Sequence, residues 1–194
     1  MHAPVNLERL YPTSCDDCGV LKSCVGPEAE QRHRDRYLKI LAILRLVARG
    51  DETVKDVGCG SGYGLPLIKE YFDDVVGVDI AKEARVYARH HYPGFRILSK
   101  AKPREIVMMV ESMEHMSLDQ IKEHTRNAKI LAITTPLGET VANEHHTQTF
   151  NSMEEVIRFV ELNLGFREAA TSFEYPITLT TGAIATQFYG VFVR

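Results

Sequence analysis

The residues between Asp56 and Asp79 have the types and spacing expected of a site for a nucleotide-like ligand. Glycines occupy every second position from Gly58 to Gly64, directly after a short run that contains Asp56. Glycine tolerates positive φ and lets a ligand approach the main chain, and the first N–H groups of a following helix have no partners within that helix. We therefore expect a strand, a tight turn and a helix that together hold a ligand at the turn.

The spacing of the glycines argues against a phosphate ligand. The turn reads D-x-G-x-G-x-G, whereas the dinucleotide pattern is G-x-G-x-x-G and the phosphate loop needs Lys and then Ser or Thr after its glycines. Asp79 ends the next apolar run, a position from which an acid accepts hydrogen bonds from ribose hydroxyls. Asp56 would repel a phosphate and attract a cation. The two acids suit an adenosyl group that carries an amino acid and a sulfonium.

Histidines are the candidate proton acceptors, and six of the eight lie at or after His90. His115 lies four residues after Glu111, which ends an apolar run, and His145 and His146 lie in a polar stretch farther along. A histidine near its ordinary pKa can take the proton of a hydroxyl or a protonated amine. We expect one of these three histidines to act on the substrate, and ordinary packing or loop polarity is the alternative for each.

No catalytic metal site is expected from the sequence. Glu139, Glu144, His145 and His146 are close together, but adjacent histidines point in different directions on most backbones. The helical H-x-x-x-H spacing of many zinc sites is also missing.

A structural zinc site is an open alternative at the N-terminus. Cys15, Cys18 and Cys24 could bind zinc if His33, or a carboxylate from the Asp16–Asp17 pair, supplied the fourth ligand. Only one closely spaced pair of ligands is present, so reduced thiols without a metal are the other interpretation.

Several segments, in the same order along the chain, resemble those of the class I S-adenosylmethionine-dependent methyltransferases. They are Val54–Gly64, Val75–Ile80, Val107–Met116 with its E-x-x-E-H ending, Ile133–Pro136 and Glu144–Phe150, and the resemblance covers roughly residues 35 to 194. It implies S-adenosyl-L-methionine as the cofactor. It also implies an α/β, doubly wound, mostly parallel seven-stranded sheet with a reversed C-terminal hairpin strand, the Rossmann-like methyltransferase fold.

The resemblance also assigns cofactor contacts. Tyr63 and Ile80 are expected to form walls of the pocket, and Glu111 is expected to contact the methionine part. After the third strand relatives often carry an acid for the adenine amino group, whereas this chain has Ser99 in that region. The expected cofactor contacts are Asp56, Gly58, Cys59, Gly60, Gly62, Tyr63, Asp79, Ile80, Ser99 and Glu111.

The apolar pattern alternates between strands and helices, which favours parallel strands joined by right-handed crossovers. Helices are predicted over 28–48, 65–72, 81–91, 118–127 and 152–164, the last opening with a capping box formed by Ser152 and Glu155. Strands are predicted over 53–57, 75–78, 95–98, 106–110, 129–134, 167–175 and 187–193. Residues 1–27 are expected to be an irregular cysteine-containing extension, and 28–194 a single domain.

Composition limits the partners that we expect. The chain has 194 residues, 44% of them apolar, and a net charge of −3, which fits one domain and disfavours a protein that neutralises many phosphates, although nucleic acid is not excluded. Without a membrane-spanning or secretory segment, and with cysteines that suit a reducing compartment, we expect a cytoplasmic protein. The sequence carries no signal for an oligomeric state.

These features predict an enzyme that methylates an oxygen or nitrogen of a small molecule, nucleotide or sugar. One alternative is methylation of nucleic acid or protein, although the [DN]-P-P-[YF] motif of amino-group methylation is absent around Thr134–Leu137. The other alternative is a non-catalytic subunit that binds the cofactor and supports a partner.

Overall fold

The computed structural model describes residues 27–138, 146–170, 172–178 and 184–194. The helices within these residues are α1 (Pro27–Leu44), α2 (Gly64–Lys69), α3 (Lys82–His91), α4 (Leu118–Thr125) and α5 (Met153–Leu164), with a 3₁₀ helix at Met113–His115. The strands are β1 (Val54–Val57), β2 (Val75–Val78), β3 (Arg96–Leu98), β4 (Ile106–Val110), β5 (Ile130–Leu137), β6 (Arg167–Glu168), β7 (Phe173–Thr178) and β8 (Ile184–Val193). The predicted N-terminal extension, with its cysteines, lies outside the described residues except for Pro27.

One sheet holds all eight of these strands, in the order β3-β2-β1-β4-β5-β8 with β6 and β7 both beside β8. The pairs from β3 to β5 are parallel, and β8 runs antiparallel to β5. Because β6 and β7 share one edge of β8, the eight strands occupy seven positions. The predicted fold, mostly parallel with a reversed C-terminal hairpin strand, is confirmed.

The reversed edge accounts for two boundaries that the sequence pattern misplaces. β5 continues to Leu137 because its last residues pair with β8, including Pro136 opposite Gln187. The predicted strand over 167–175 is interrupted between β6 and β7, although Ala169 N still donates to Val191 O at 2.9 Å.

Helices cover both faces of the sheet, so each strand is buried from two sides. On one face lie apolar side chains of α1, α2 and α3, and on the other lie those of α4 and α5. Strand β4 contributes to both, since Ile106, Met108 and Val110 face the first layer while Val107 and Met109 face the second. In a parallel sheet covered by helices on both faces, successive side chains of a strand face opposite layers, so all of them are apolar.

Two helix starts are capped by serine, and only one has the full capping box. At α4, Ser117 Oγ accepts from Gln120 N and Gln120 Oε1 accepts from Ser117 N at 2.8 Å. At α5, Ser152 Oγ accepts from Glu155 N, but the Glu155 carboxylate accepts from Asn151 N instead of Ser152 N. The predicted capping box at α5 is therefore half correct.

The order of the strands reverses between β1 and β4. β1 pairs with β2 on one side and with β4 on the other, so chain connections leave this point in opposite directions. Ligands of open α/β sheets bind at the carboxyl ends of strands at such a switch point. The glycine turn follows β1 and Glu111 follows β4, so both lie at this place. Within the described residues, no helix combines the length and the hydropathy needed to span a membrane.

Candidate active site

The glycine turn between β1 and α2 depends on backbone conformations that glycine adopts readily. Gly58, Gly60 and Gly62 have φ of 75°, 50° and 84°. A Cβ on Gly58 would lie 2.4 Å from the Cβ of Ser112, so the residue after β4 packs directly on the turn. A Cβ on Gly60 would meet nothing within 4 Å. The main chain at Gly60 therefore faces open space in which a ligand can lie against it.

The amide groups of the turn hold the turn in place. Gly58 N and Cys59 N both donate to Val78 O, at 2.7 and 3.1 Å, and Gly60 N donates to Asp79 Oδ2 at 2.9 Å. The expectation that amides of this region face a ligand is wrong for these three. The turn lets a ligand come close to the main chain. The polar group available to that ligand is the carboxylate of Asp79, which the turn holds through Gly60 N.

Asp79 is held at the end of β2 by the backbone around it. Its Oδ1 accepts from Ala81 N at 2.8 Å, and Arg85 donates to the carbonyl oxygens of Asp79 and Ile80 at 2.8 and 2.7 Å. Burial raises the pKa of Asp79, and the backbone N–H donors oppose this shift. Ile80 is 83% exposed and Ser99, after β3, is exposed as well. The polar and apolar groups expected to contact an adenosine thus lie at the carboxyl ends of neighbouring strands.

Asp56 occupies a different environment from the one expected. It belongs to β1, is fully buried, and accepts a hydrogen bond from the Tyr37 hydroxyl at 2.9 Å. The ring of Tyr37 also covers Gly64, since a Cβ there would lie 2.1 Å from a ring carbon. The expectation that Asp56 attracts a cationic ligand is therefore wrong for this structure, because α1 covers the carboxylate.

Cys59 and Tyr63 are both buried next to the turn. The Cys59 side chain is 5% exposed and packs toward β2, where a Cβ on Gly77 would lie 2.8 Å from its Sγ. Burial raises the pKa of the Cys59 thiol well above its usual value, so the group stays protonated. Tyr63 is 8% exposed and stacks on His33, with ring centroids 6.0 Å apart. A contact between Cys59 and a cofactor would have to involve the backbone.

Glu111 has a left-handed backbone and a carboxylate held by three elements. Its φ is 53°, the one positive φ of a residue other than glycine within the described part of the chain. Oε1 accepts from Thr134 Oγ1 at 2.8 Å and from Gln187 Nε2, and Arg36 Nε lies 3.6 Å from Oε2. Non-glycine residues in this region carry strain that the surroundings must offset, and such strain clusters at functional sites.

Glu114, His115 and His146 form a second cluster beside Glu111. A ligand atom from each lies within 4.8 Å of the others, and the two imidazole centroids are 4.6 Å apart. Glu114 is 2% exposed, His115 is exposed and His146 is half-buried. The structure thus brings together two of the three histidines predicted to be catalytic. His145 lies outside the described residues, as do Glu139 and Glu144.

Backbone hydrogen bonds join the two segments that carry this cluster. Thr147 N and Gln148 N donate to Glu114 O at 2.7 and 3.1 Å, and Thr147 Oγ1 donates to Met116 O at 2.7 Å. The cluster is also tied to the glycine turn, because Ser112 Oγ donates to Val57 O at 2.6 Å. The segment that leads into the cluster is therefore held directly against the end of β1, where the glycine turn begins.

Sequence reasoning missed several residues of this site. Glu114 had a signal, since it precedes His115 directly and follows Glu111 by three positions. Thr134 and Gln187 had none strong enough to join them to Glu111, because Thr134 meets it through the β4–β5 pairing and Gln187 through the β5–β8 pairing.

Comparison with known proteins agrees with this geometry. Residues 55–124 match the family model described as a methyltransferase domain. No curated protein sequence matches the chain. The fold is similar to that of the methyltransferase domain of bacterial CtHen1-CN, with 18% identity over 83% of this chain and 98% of that one and a TM-score of 0.59.

Two further solved structures share the fold. Magnesium protoporphyrin IX methyltransferase (ChlM) from Synechocystis PCC 6803, with bound SAH, has 13% identity over 86% of this chain and 84% of that one, with a TM-score of 0.59. A cyclopropane-fatty-acyl-phospholipid synthase-like protein from Lactobacillus casei ATCC 334 has 12% identity over 85% and 92%, with a TM-score of 0.60.

The open main chain at Gly60 and the oriented Asp79 carboxylate fit an adenosine-bearing ligand, and the matched domain includes both. The reversed β8 completes the sheet of such enzymes. Over residues 55–124 the chain is similar to the methyltransferase domain family, and its fold is that of solved methyltransferases, one of them with bound SAH.

Proposed function

We propose that this methyltransferase acts on a hydroxyl oxygen of a small molecule, nucleotide or sugar. The observation that carries the proposal is the Glu114–His115–His146 cluster, which lies next to the donor pocket at the carboxyl end of β4. A hydroxyl must lose its proton when its oxygen is methylated, and a neutral amine can attack before it loses one. Groups that accept a proton, or stabilise an anionic oxygen, therefore favour oxygen over nitrogen as the acceptor.

The donor would lie across the glycine turn. Asp79, already oriented by Gly60 N and Ala81 N, would accept hydrogen bonds from the ribose hydroxyls. Ile80, which is 83% exposed, would pack against the adenine ring, with Ser99 beside it. Glu111 would accept a hydrogen bond from the ammonium group of the methionine part.

The surroundings of Glu111 support that last role. Thr134 and Gln187 both donate to Oε1 of Glu111 and hold its carboxylate in one orientation. A charged acceptor held in place by neutral donors forms a stronger hydrogen bond with a cation than a mobile one does, because less ordering is needed on binding. Arg36, 3.6 Å from Oε2, links this carboxylate to α1.

The chemistry of methyl transfer requires little more than correct placement. S-adenosylmethionine supplies a methyl group on a positively charged sulfur, which is already an activated leaving group. The protein contributes by holding the acceptor in line with that group, and such positioning is worth about 7 to 11 kcal/mol at the extreme. The tie from Ser112 to Val57 keeps the acceptor side and the donor side in register.

The first test is binding of S-adenosylhomocysteine by calorimetry. Asp79→Ala should weaken the affinity by at least about tenfold, the equivalent of about 1.4 kcal/mol. Asp73→Ala is the matched control, since Asp73 is a fully exposed carboxylate near the same strand, and its affinity should equal that of the unmodified protein. Unchanged affinity in Asp79→Ala would contradict the ribose contact.

The second test identifies the acceptor. Labelled S-adenosylmethionine is incubated with separate pools of metabolites, RNA, DNA and protein, and incorporation into each pool is measured. The proposal predicts label in the metabolite pool, on groups that resist the alkaline treatment that hydrolyses methyl esters. Label confined to RNA, DNA or protein would contradict the acceptor class, and tight binding without label in any pool would support a non-catalytic subunit.

A further inference from the structure

We propose that Glu114, His115 and His146 bind one divalent transition-metal ion, which holds the acceptor hydroxyl beside the methyl donor. The proposal deepens the function above and rests on it. A metal was not expected here, because the candidate ligands considered from the sequence were neighbours in a different stretch, which includes His146 but neither Glu114 nor His115. The cluster is instead assembled from two segments that are 31 residues apart and are joined by the fold.

The three ligand atoms are close to the separation at which they could share an ion. They lie within 4.8 Å of one another, and ligands that bind one ion at about 2 Å each are necessarily separated by less than about 4.5 Å. The two imidazole centroids are 4.6 Å apart, with an interplanar angle of 74°. Small side-chain rotations would complete the site.

Backbone and side-chain hydrogen bonds around the cluster hold its residues in place. Thr147 N and Gln148 N both donate to Glu114 O, and these hydrogen bonds set the position of His146 relative to the 3₁₀ helix. Thr135 Oγ1 lies 3.5 Å from Glu114 Oε2 and would orient the carboxylate. Outer contacts of this kind orient metal ligands and are typical of functional metal sites.

Charge and burial also favour a cation at this place. Glu114 is 2% exposed, and a carboxylate shielded from water attracts a nearby cation more strongly than an exposed one does. One carboxylate with two neutral imidazoles carries a single negative charge, so a divalent ion would make the cluster net positive. That charge would stabilise an oxygen that becomes anionic.

The ligand set indicates which ions fit. Two imidazoles and one carboxylate suit manganese, iron, cobalt or zinc, whereas calcium and magnesium prefer oxygen ligands alone. Three protein ligands leave coordination positions open for water or substrate, as in catalytic sites. A bound ion would lower the pKa of a coordinated hydroxyl, which is the change the acceptor needs.

The transfer step balances without a further reactant. The acceptor oxygen loses its proton to solvent and forms a bond to the methyl carbon while the bond from that carbon to sulfur breaks. The products are a methylated oxygen, S-adenosylhomocysteine and one proton, with no change of oxidation state at the metal. Glu114, His115 and His146 remain ligands throughout, so this assignment replaces the proton-acceptor role of the two histidines.

The test uses the full chain, stripped with EDTA, and Mn²⁺ as the probe. Mn²⁺ is chosen because thiolates favour softer ions, so Cys15, Cys18 and Cys24 should not compete for it. Electron paramagnetic resonance measures free Mn²⁺ during the titration. We expect one Mn²⁺ per chain, and at least about tenfold weaker binding in His146→Ala and in His115→Ala.

Two controls separate a metal site from a general effect on the protein. His90→Ala removes an exposed histidine on α3 away from the cluster and should bind Mn²⁺ normally. S-adenosylhomocysteine affinity should be the same in His115→Ala as in the unmodified protein, which shows that the donor site is intact. Since His115 is exposed, this variant also keeps the test valid if His146→Ala fails to fold.

Activity provides the second readout, measured with whichever acceptor pool is labelled. EDTA should lower the rate at least about tenfold, and Mn²⁺ should restore it in the unmodified protein but not in His115→Ala. Absence of Mn²⁺ binding, or equal binding in all variants, would overturn the metal site while leaving the donor site standing. Failure of the unmodified protein to bind S-adenosylhomocysteine would instead contradict the methyltransferase site on which this proposal rests.

Discussion

Replacement of Asp56 by Asn should remove a large part of the pH dependence of stability. Asp56 is fully buried, Tyr37 donates to its Oδ2, and its Oδ1 has no hydrogen-bond partner within the described residues. Burial raises the pKa of Asp56 to about 7, the Tyr37 hydrogen bond opposes the shift, and the charge of Asp79 adds to it. The folded protein therefore binds this proton over a range in which the unfolded chain has released it.

The sign and size of the effect follow from the two pKa values. The folded pKa of about 7 lies above the usual 3.8, so the stability from the neutral carboxyl is complete below pH 3.8 and is lost as the pH rises through 7. Each pH unit in this window changes the free energy of unfolding by about 1.4 kcal/mol. Between pH 5 and pH 8 the loss amounts to about 3 kcal/mol, and Asp56→Asn has no such loss because its amide does not titrate.

Urea unfolding, followed by circular dichroism because the chain has no tryptophan, measures this at pH 5 and pH 8. At pH 5, Asp56→Asn should be less stable than the unmodified protein, since its buried amide lacks an acceptor. Between pH 5 and pH 8, the difference in free energy of unfolding should shift in favour of the variant by about 3 kcal/mol. The exposed Asp73→Asn is the control and should follow the unmodified protein at both values. Parallel pH profiles for Asp56→Asn and the unmodified protein would show that titration of Asp56 does not cause the pH dependence.

Two further substitutions test the packing around the glycine turn. Gly58→Ala should destabilise the protein by at least about 2 kcal/mol and weaken S-adenosylhomocysteine binding, because the new Cβ would lie 2.4 Å from that of Ser112 at a φ of 75°. Gly94→Ala, which faces open space, should change neither, and equal effects of the two would contradict the steric argument. Tyr37→Phe should cost about 1 to 3 kcal/mol by urea unfolding, with a larger loss at pH 8 than at pH 5, because the hydroxyl stabilises the anion of Asp56. A loss independent of pH would show that the hydrogen bond to Asp56 is not its cause.

The strand order and the glycine turn could be predicted because their signals are local. Glycines at Gly58, Gly60 and Gly62 require a backbone that other residues adopt with difficulty, and all three have positive φ. Alternating strands and helices then determine that the turn lies at the carboxyl edge of a parallel sheet. The position of Asp79 at the carboxyl end of β2 could be predicted in the same way. Its hydrogen bond from Gly60 N could not be predicted from the spacing of the residues.

The contacts that complete the site depend on parts of the chain that are far apart. Gln187 reaches Glu111 across 76 positions, and only the register of β8 against β5 determines that they meet. Asp56 is an acid in a four-residue strand, and the sequence does not show that the Tyr37 hydroxyl of α1 covers it. Local patterns indicate which residues can do chemistry, while long-range packing decides which of them share a site.

A crystal structure of the protein grown with S-adenosylhomocysteine would show whether the glycine turn and Asp79 hold the ligand. We expect the adenosine part against the open main chain of Gly60, the ribose hydroxyls within hydrogen-bond distance of Asp79, and the sulfur directed toward the Glu114–His115–His146 cluster. Density for the ligand at any other place, or none at a ligand concentration that saturates binding in solution, would contradict this expectation.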